Sequence, residues 1–174
     1  ELPNNFDEVI QSWDCSFKET ETGSYVVGQV WGRKGANKYL IDQVRARMDF
    51  TKTLRAIKNM TIKYPEARLK LIEDKANGPA IISTLRQEIS GIVPVNPRGS
   101  KEARAAAISP EIEAGNVYLP SPSIASWAND YIEEWAAFPN GENDDQVDAT
   151  SQALDRLSLR PTRTRNYSGK GARV

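Results

Sequence analysis

The sequence predicts an α/β fold that begins with an antiparallel meander of three strands and continues with alternating helices and strands. Three segments rich in β-branched and aromatic residues follow one another near the start of the chain, separated by short glycine-containing connections. From about Phe50 the spacing of apolar residues changes from two to about 3.6, which indicates helices. A strand, a helix and a second strand then occur in succession, an order typical of a parallel crossover unit.

The meander occupies the first quarter of the chain. Its strands are predicted at residues 8–12, 25–31 and 38–44. A polar loop that contains Gly23 connects the first two strands, and a turn at residues 32–37 connects the second to the third. Short connections of this kind favour antiparallel pairing of neighbours in sequence.

Prolines delimit several of the later elements. Pro65 closes the first helix, Pro79 is compatible with the first turn of the second, and Pro110 is expected to divide the third. The predicted elements are a helix at 50–65, a strand at 68–72, a helix at 78–89, a strand at 91–95, a divided helix at 100–114, a strand at 116–119, and helices at 123–138 and 144–157.

Length and composition indicate one globular domain. The chain has 174 residues, of which 39% are apolar and 26% charged, a profile of folded rather than disordered proteins. We expect the domain to cover residues 1–159 and a flexible basic tail to cover residues 160–174. No apolar stretch approaches the length of a membrane span and no signal peptide is evident, so the protein is expected to remain in the cytoplasm where it is made.

The formal net charge of zero conceals two regions of opposite sign. Residues 130–148 contain seven acidic residues and no basic one, whereas residues 160–174 contain five basic residues and no acidic one. The sequence therefore predicts an acidic pole and a basic tail.

Several kinds of chemistry are excluded by residues that the chain lacks. It has one cysteine and no histidine, which excludes an internal disulfide and a Cys-rich zinc site and removes the usual general base. It also lacks the glycine-rich phosphate-binding sequence of P-loop ATPases, so this chain is not expected to hydrolyse ATP alone. What remains is carboxylate chemistry.

Three acidic clusters end or follow apolar runs. They are centred on Asp14, on residues 73–74 and on residues 144–148. Clustered carboxylates repel one another unless a cation neutralises them, and oxygen ligands select hard ions, so the pattern predicts Mg²⁺ or Mn²⁺. Asp145 and Asp148 are three residues apart and would share one side of a helix. The alternative is that these acids are solvated or cap helix N-termini.

A group of basic residues lies between the fifth strand and the helix that follows it. Arg98, Lys101 and Arg104 flank a strand-to-helix junction, where backbone N–H groups and cationic side chains can hold a phosphate. We expect these three residues to bind DNA without reading its sequence. The alternative is a solvated helix start.

Three sequence motifs, in this order, resemble those of one protein family. Trp13-Asp14 is followed by Gly-Gln-Val-Trp-Gly at 28–32, then by Ile-Glu-Asp-Lys-Ala-Asn-Gly at 72–78. Ala-Phe-Pro-Asn-Gly at 137–141 then leads to Asp-Asp-Gln-Val-Asp-Ala at 144–149. Together they resemble the nuclease domain of tailed-bacteriophage terminase large subunits, over residues 7–157.

The resemblance implies an RNase H-like fold, related to Holliday-junction resolvases, in which a mixed central sheet flanked by helices positions acids for two-metal hydrolysis of DNA. It implies that Asp14 bridges two Mg²⁺ or Mn²⁺ ions, that Asp74 holds one of them, and that Asp148 completes the catalytic set. Asp145 would assist as a further metal ligand. Glu73 and Asp74 are adjacent and face opposite sides of a strand, so only one can enter the site, and Asp74 is favoured.

The family implies an endonuclease that cuts double-stranded concatemeric viral DNA during packaging in the host cytoplasm. Its partners would be double-stranded DNA, the phage portal and the small terminase subunit, with no membrane. The packaging ATPase domain that precedes the nuclease in the family is absent from this chain, which is therefore expected to be an excised C-terminal domain. The alternative is a non-catalytic RNase H-like module that docks on DNA or on a portal.

Overall fold

A mixed six-stranded sheet occupies the centre of the computed structural model, which describes residues 1–16 and 25–158. In the sheet the strands lie in the order β5-β4-β1-β2-β3-β6. The first three pair antiparallel as the predicted meander, whereas β4 pairs parallel with β1, β5 with β4, and β6 with β3. The strands are β1 (Glu8–Asp14), β2 (Val26–Lys34), β3 (Asn37–Ala46), β4 (Leu69–Glu73), β5 (Ile92–Val95) and β6 (Val117–Tyr118).

Helices cover both faces of this sheet. One core, which includes Trp13 and Val30, packs against Ile57 of α1 and Ile81 of α2. The other core packs the opposite face of the sheet against α3, α4 and α5, with Leu154 of α5 fully buried. The helices are α1 (Phe50–Lys63), α2 (Gly78–Leu85), α3 (Lys101–Glu113), α4 (Ala128–Ala137) and α5 (Asp145–Ser158). The predicted α/β fold, with its meander and its β4-α2-β5 crossover, is confirmed.

Three predicted helix boundaries differ from the structure. The expected division of α3 is wrong, because the helix continues through Pro110. Proline deprives the carbonyl of Ala106 of its helical donor, and Ala106 is exposed, where water can supply one. α2 ends at Leu85, before a turn that leads to Gly91 in a left-handed conformation. α4 begins only at Ala128 because the preceding residues form hydrogen-bonded turns.

A close contact between a tryptophan and a glycine fixes β1 against β2. Trp13 is directly opposite Gly28 in the antiparallel pair, and a Cβ atom on Gly28 would lie 2.3 Å from the Trp13 ring. The indole is fully buried, and its Nε1 donates a hydrogen bond to Oε1 of Gln11 at 2.9 Å. This contact holds β1 in register, and the register decides where the next residue, Asp14, is placed.

The predicted basic tail at 160–174 and the end of the predicted domain at residue 159 lie outside the described residues. Within the residues described, the longest helices have 14 residues, and no helix is long and apolar enough to cross a bilayer.

Candidate active site

Three acidic side chains from three separate elements line one cavity of about 430 Å³. Asp14 ends β1, Glu73 ends β4, and Asp148 lies in the first turn of α5. β1 and β4 are parallel neighbours with Trp13 paired to Ile72, so the residues that follow this pair leave the sheet side by side. The cavity therefore lies at the carboxyl edge of two adjacent parallel strands, where α/β folds commonly bind ligands.

Hydrogen bonds hold α5 against this edge. The Ser12 hydroxyl donates to the carbonyl of Ala149 at 2.7 Å and accepts from Nε2 of Gln152 at 2.9 Å. Residues 145, 148, 149 and 152 follow the spacing of one helical face, so these bonds also direct Asp148 toward β1. The one-sided placement predicted for Asp145 and Asp148 is thus reflected in how α5 packs.

Asp14 is an unusually buried carboxyl group. Only 3% of the residue is exposed, and Oδ1 accepts a hydrogen bond from the backbone N–H of Ser16 at 3.0 Å. Burial raises the pKa of Asp14 to about 7, and the negative charges of Asp145 and Asp148 act in the same direction. The group is therefore poised to lose its proton when a cation approaches.

Asp145 lies behind the cavity rather than in its lining. It is 6% exposed, and burial, followed by the charges of Glu134 and Asp144, raises its pKa to about 6. A hydrogen bond from the backbone of Tyr25 opposes this effect. Asp145 affects Asp14 through its charge, but it is not among the residues that line the cavity.

Glu134, which the sequence analysis did not select, caps α5 from another helix. Its Oε1 accepts from the backbone N–H groups of Gln146 at 2.7 Å and Val147 at 3.1 Å, and its Oε2 accepts from the Gln146 side chain at 2.6 Å. Arg45 lies 3.6 Å away. A carboxylate at a helix N-terminus satisfies donors that have no partner within the helix, so Glu134 stabilises the turn that carries Asp145. No local motif marks this role, because α4 and α5 meet only in the folded chain.

The structure places Glu73, rather than the favoured Asp74, beside Asp14 and Asp148. Glu73 lines the cavity, and burial followed by the charge of Asp148 raises its pKa. Asp74 lies one residue beyond β4 and is not among the lining residues; its backbone N–H donates to the carbonyl of Val95 at 2.8 Å. The parallel register with β1 decides between the two acids, because side chains alternate faces along a strand.

Two of the predicted DNA-binding bases contact the acids directly. Arg104 donates from Nη2 to Oδ1 of Asp148 at 2.9 Å and from Nη1 to the carbonyl of Gly99 at 3.0 Å. Lys101 pairs with Oδ2 of the same aspartate and donates to Oδ1 of Asp144 at 2.7 Å. Both oxygens of Asp148 therefore face a basic group.

The third predicted base, Arg98, is exposed and lines the cavity from the loop before α3. Gly99 has a φ of +73°, and the Ser100 hydroxyl caps α3 by accepting from the backbone N–H of Ala103 at 3.1 Å. The tight turn thus brings the base-bearing start of α3 to the rim of the acidic cavity.

The donor set suits a hard divalent cation. Glu73 and the aspartates offer only carboxylate oxygens, the ligands that Mg²⁺ and Mn²⁺ prefer, and a bound cation would relieve the repulsion that raises the pKa of Asp14. Among residues 1–16 and 25–158, no three acidic side chains form a ready-made group around an ion. The chemistry of the residues fits a metal, whereas Asp148 is engaged by bases.

Comparison with known families agrees with this arrangement. A family model described as the terminase RNase H-like domain matches residues 11–157. The chain belongs to this terminase family. No curated protein gave a match. The matched segment begins within β1 and ends within α5, so it contains the three terminase-like motifs and all four carboxylates of the site.

Solved terminase structures share the fold of this domain. The large terminase nuclease of thermophilic phage G20c, with bound zinc, has a TM-score of 0.68 and 17% identity over 86% of this chain and 81% of its own. The nuclease domain of bacteriophage SPP1 with bound manganese has a TM-score of 0.63 and 17% identity over 87% and 88%. The G20c nuclease has also been solved with magnesium. The predicted RNase H-like fold is confirmed.

A longer large terminase, from another thermophilic bacteriophage, shows how much of such a protein the match covers. It has a TM-score of 0.64 and 12% identity over 90% of this chain but only 41% of its own length. The present chain thus spans less than half of that terminase and about four fifths or more of the separate nuclease domains.

Proposed function

We propose that this domain is a divalent-metal-dependent endonuclease that cuts double-stranded concatemeric viral DNA. The observation that carries the proposal is the convergence of Asp14, Glu73 and Asp148, from three distant segments, on one cavity. Terminase nuclease domains of the same fold were crystallised with manganese, magnesium or zinc, which supports the use of a divalent ion here.

In this proposal Asp14, Glu73 and Asp148 hold two Mg²⁺ or Mn²⁺ ions, with Asp145 assisting and Glu73 replacing Asp74 of the sequence-based set. When bound, such ions activate a water molecule and stabilise the leaving oxygen of a phosphodiester. The contribution of the chain is to fix the carboxylates. Asp14 must be ionised to bind a cation, so its pKa of about 7 makes ion binding weaken as the pH falls below neutrality.

Arg98, Lys101 and Arg104 are proposed to hold the phosphate backbone of DNA at the rim of the cavity. Phosphate contacts position a duplex without reading its bases, so binding should depend strongly on salt and weakly on sequence. We expect a variant with alanine at both Lys101 and Arg104 to flatten the slope of log affinity against log salt by up to about 2. A duplex-binding titration at several salt concentrations measures this slope, and an unchanged slope would show that α3 does not contact DNA.

The remaining partners are proposed from the family. In a full-length terminase the domain would follow a packaging ATPase domain and would act with the portal and the small terminase subunit in the host cytoplasm. These proteins enter the proposal only through membership of the family.

Incubation of supercoiled plasmid with Mn²⁺ or Mg²⁺ tests the activity. We expect nicking and linearisation that stop on addition of chelator, and a loss of at least about 100-fold in Asp14→Asn. The matched control is Glu66→Gln, which removes an exposed carboxylate at the opposite end of β4 and should cut normally. Undiminished cleavage in chelator would exclude the metal-dependent reaction.

The second candidate is a non-catalytic module that docks on DNA or on a portal. The ion pairs that engage both oxygens of Asp148 favour it, because a permanently neutralised carboxylate cannot bind a metal. Retention of plasmid without any cleavage, over a range of Mn²⁺ concentrations, is the result that this alternative requires.

A further inference from the structure

Asp148 is held between two cations of different character. Arg104 is 21% exposed and is anchored on its other side by the carbonyl of Gly99. Lys101 is 42% exposed, and its other partner, Asp144, is not part of the cavity lining. Of the two bases, Lys101 is therefore the one that can leave with the smaller structural change.

Lys101 already has another acceptor outside the cavity. Its ammonium group bridges Asp148, whose side chain is 7% exposed, and Asp144, whose side chain is 40% exposed. A small outward movement would leave Lys101 bound to Asp144 alone and would free an oxygen of Asp148. The bridge is thus an arrangement with a nearby alternative, unlike the pair between Arg104 and Asp148.

A divalent ion and Lys101 cannot both occupy the same oxygen of Asp148. The ammonium donates a hydrogen bond to the lone pairs that would bind the ion, and the two positive charges repel each other. Ion binding at Asp148 must therefore include the cost of displacing Lys101. A DNA phosphate beside the cavity would lower that cost, because it offers Lys101 a new anionic partner.

We infer that Lys101 is an exchangeable counter-cation that neutralises Asp148 before ions bind and couples ion binding to DNA binding. The inference rests on the proposed metal-dependent function and adds a regulatory step to it. Because coupling is reciprocal, DNA should increase the affinity for the ion by the same factor by which the ion increases the affinity for DNA.

Calorimetric titration with Ca²⁺, with and without a short DNA duplex, tests this inference without turnover. Lys101→Met keeps most of the apolar stem and removes the charge. We expect it to bind Ca²⁺ about 10-fold more tightly than the wild type in the absence of DNA, and to lose the several-fold tightening that DNA produces in the wild type. Lys101→Arg retains the cation and should bind Ca²⁺ as weakly as the wild type.

Lys58→Met is the matched control. Lys58 is also a partly exposed helical lysine in an ion pair, with Glu88, but it lies on α1 and is not part of the cavity lining. Its Ca²⁺ affinity and its response to DNA should equal those of the wild type. Thermal melting of each variant without metal verifies that the fold is retained.

The outcomes separate this inference from the proposed function. If the wild type binds Ca²⁺, Asp14→Asn does not, and Lys101→Met binds no more tightly than the wild type, the counter-cation role is wrong while the metal site stands. An equal effect of DNA in the wild type and Lys101→Met also overturns it. If neither protein binds Ca²⁺ and cleavage persists in chelator, both proposals fail.

Discussion

Replacement of Asp14 by asparagine should stabilise the metal-free protein at neutral and alkaline pH while it removes cleavage. The carboxyl group is 3% exposed and lies near two other acids, so its ionised form is unfavourable in the fold. Asparagine has nearly the same shape, and its oxygen can still accept from the backbone N–H of Ser16. The substitution thus removes an electrostatic cost with little loss of packing.

The size and the sign of this effect follow from the pKa of Asp14. It is about 7 in the fold and about 3.9 in an unfolded chain, so the fold favours the protonated group. The stabilising contribution is complete below about pH 4 and is lost as the pH rises through 7. At pH 8 the ionised carboxyl costs on the order of 4 kcal/mol, equivalent to roughly 5 to 15 °C in melting temperature for a domain of this size.

Thermal melting in chelator at pH 5 and at pH 8 measures the effect. We expect the advantage of Asp14→Asn over the wild type to be larger at pH 8, and saturating Mg²⁺ to raise the melting temperature of the wild type but not of the variant. Glu66→Gln should melt as the wild type does. A metal-free variant that melts below the wild type at pH 8 would refute the electrostatic account of the site.

Three further substitutions test other parts of the structure. Glu73→Gln should lower plasmid cleavage at least about 100-fold, whereas Asp74→Asn should retain most of it, and the reverse order would restore Asp74 as the ligand. Gly28→Ala should cost about 2 to 4 kcal/mol in urea unfolding because the new Cβ atom would overlap the buried ring of Trp13, and a change below about 0.5 kcal/mol would contradict that contact. Glu134→Ala should cost about 2 to 4 kcal/mol by the same measurement because it leaves buried donors of α5 without an acceptor, and an unaltered midpoint would show that the cap is dispensable.

The sequence was sufficient to predict the fold but not every partner within the site. Hydrophobic periodicity identified the meander and the crossover, and apolar runs that end in acids identified Asp14 and the later clusters. The choice between Glu73 and Asp74 depends on the register of β4 against β1, which no local pattern contains. Glu134 was missed for a similar reason, since its acceptor role exists only after α4 meets α5.

The order of the acids along the chain has a consequence for synthesis on the ribosome. Asp14 and Glu73 emerge early, but Asp148 belongs to α5, which follows all six strands of the sheet. At about 5 to 20 residues per second, the growing chain spends several seconds with an incomplete set of carboxylates. A nascent nuclease of this design cannot damage the DNA around it until its final helix has docked, so the completion of folding itself acts as the safety catch.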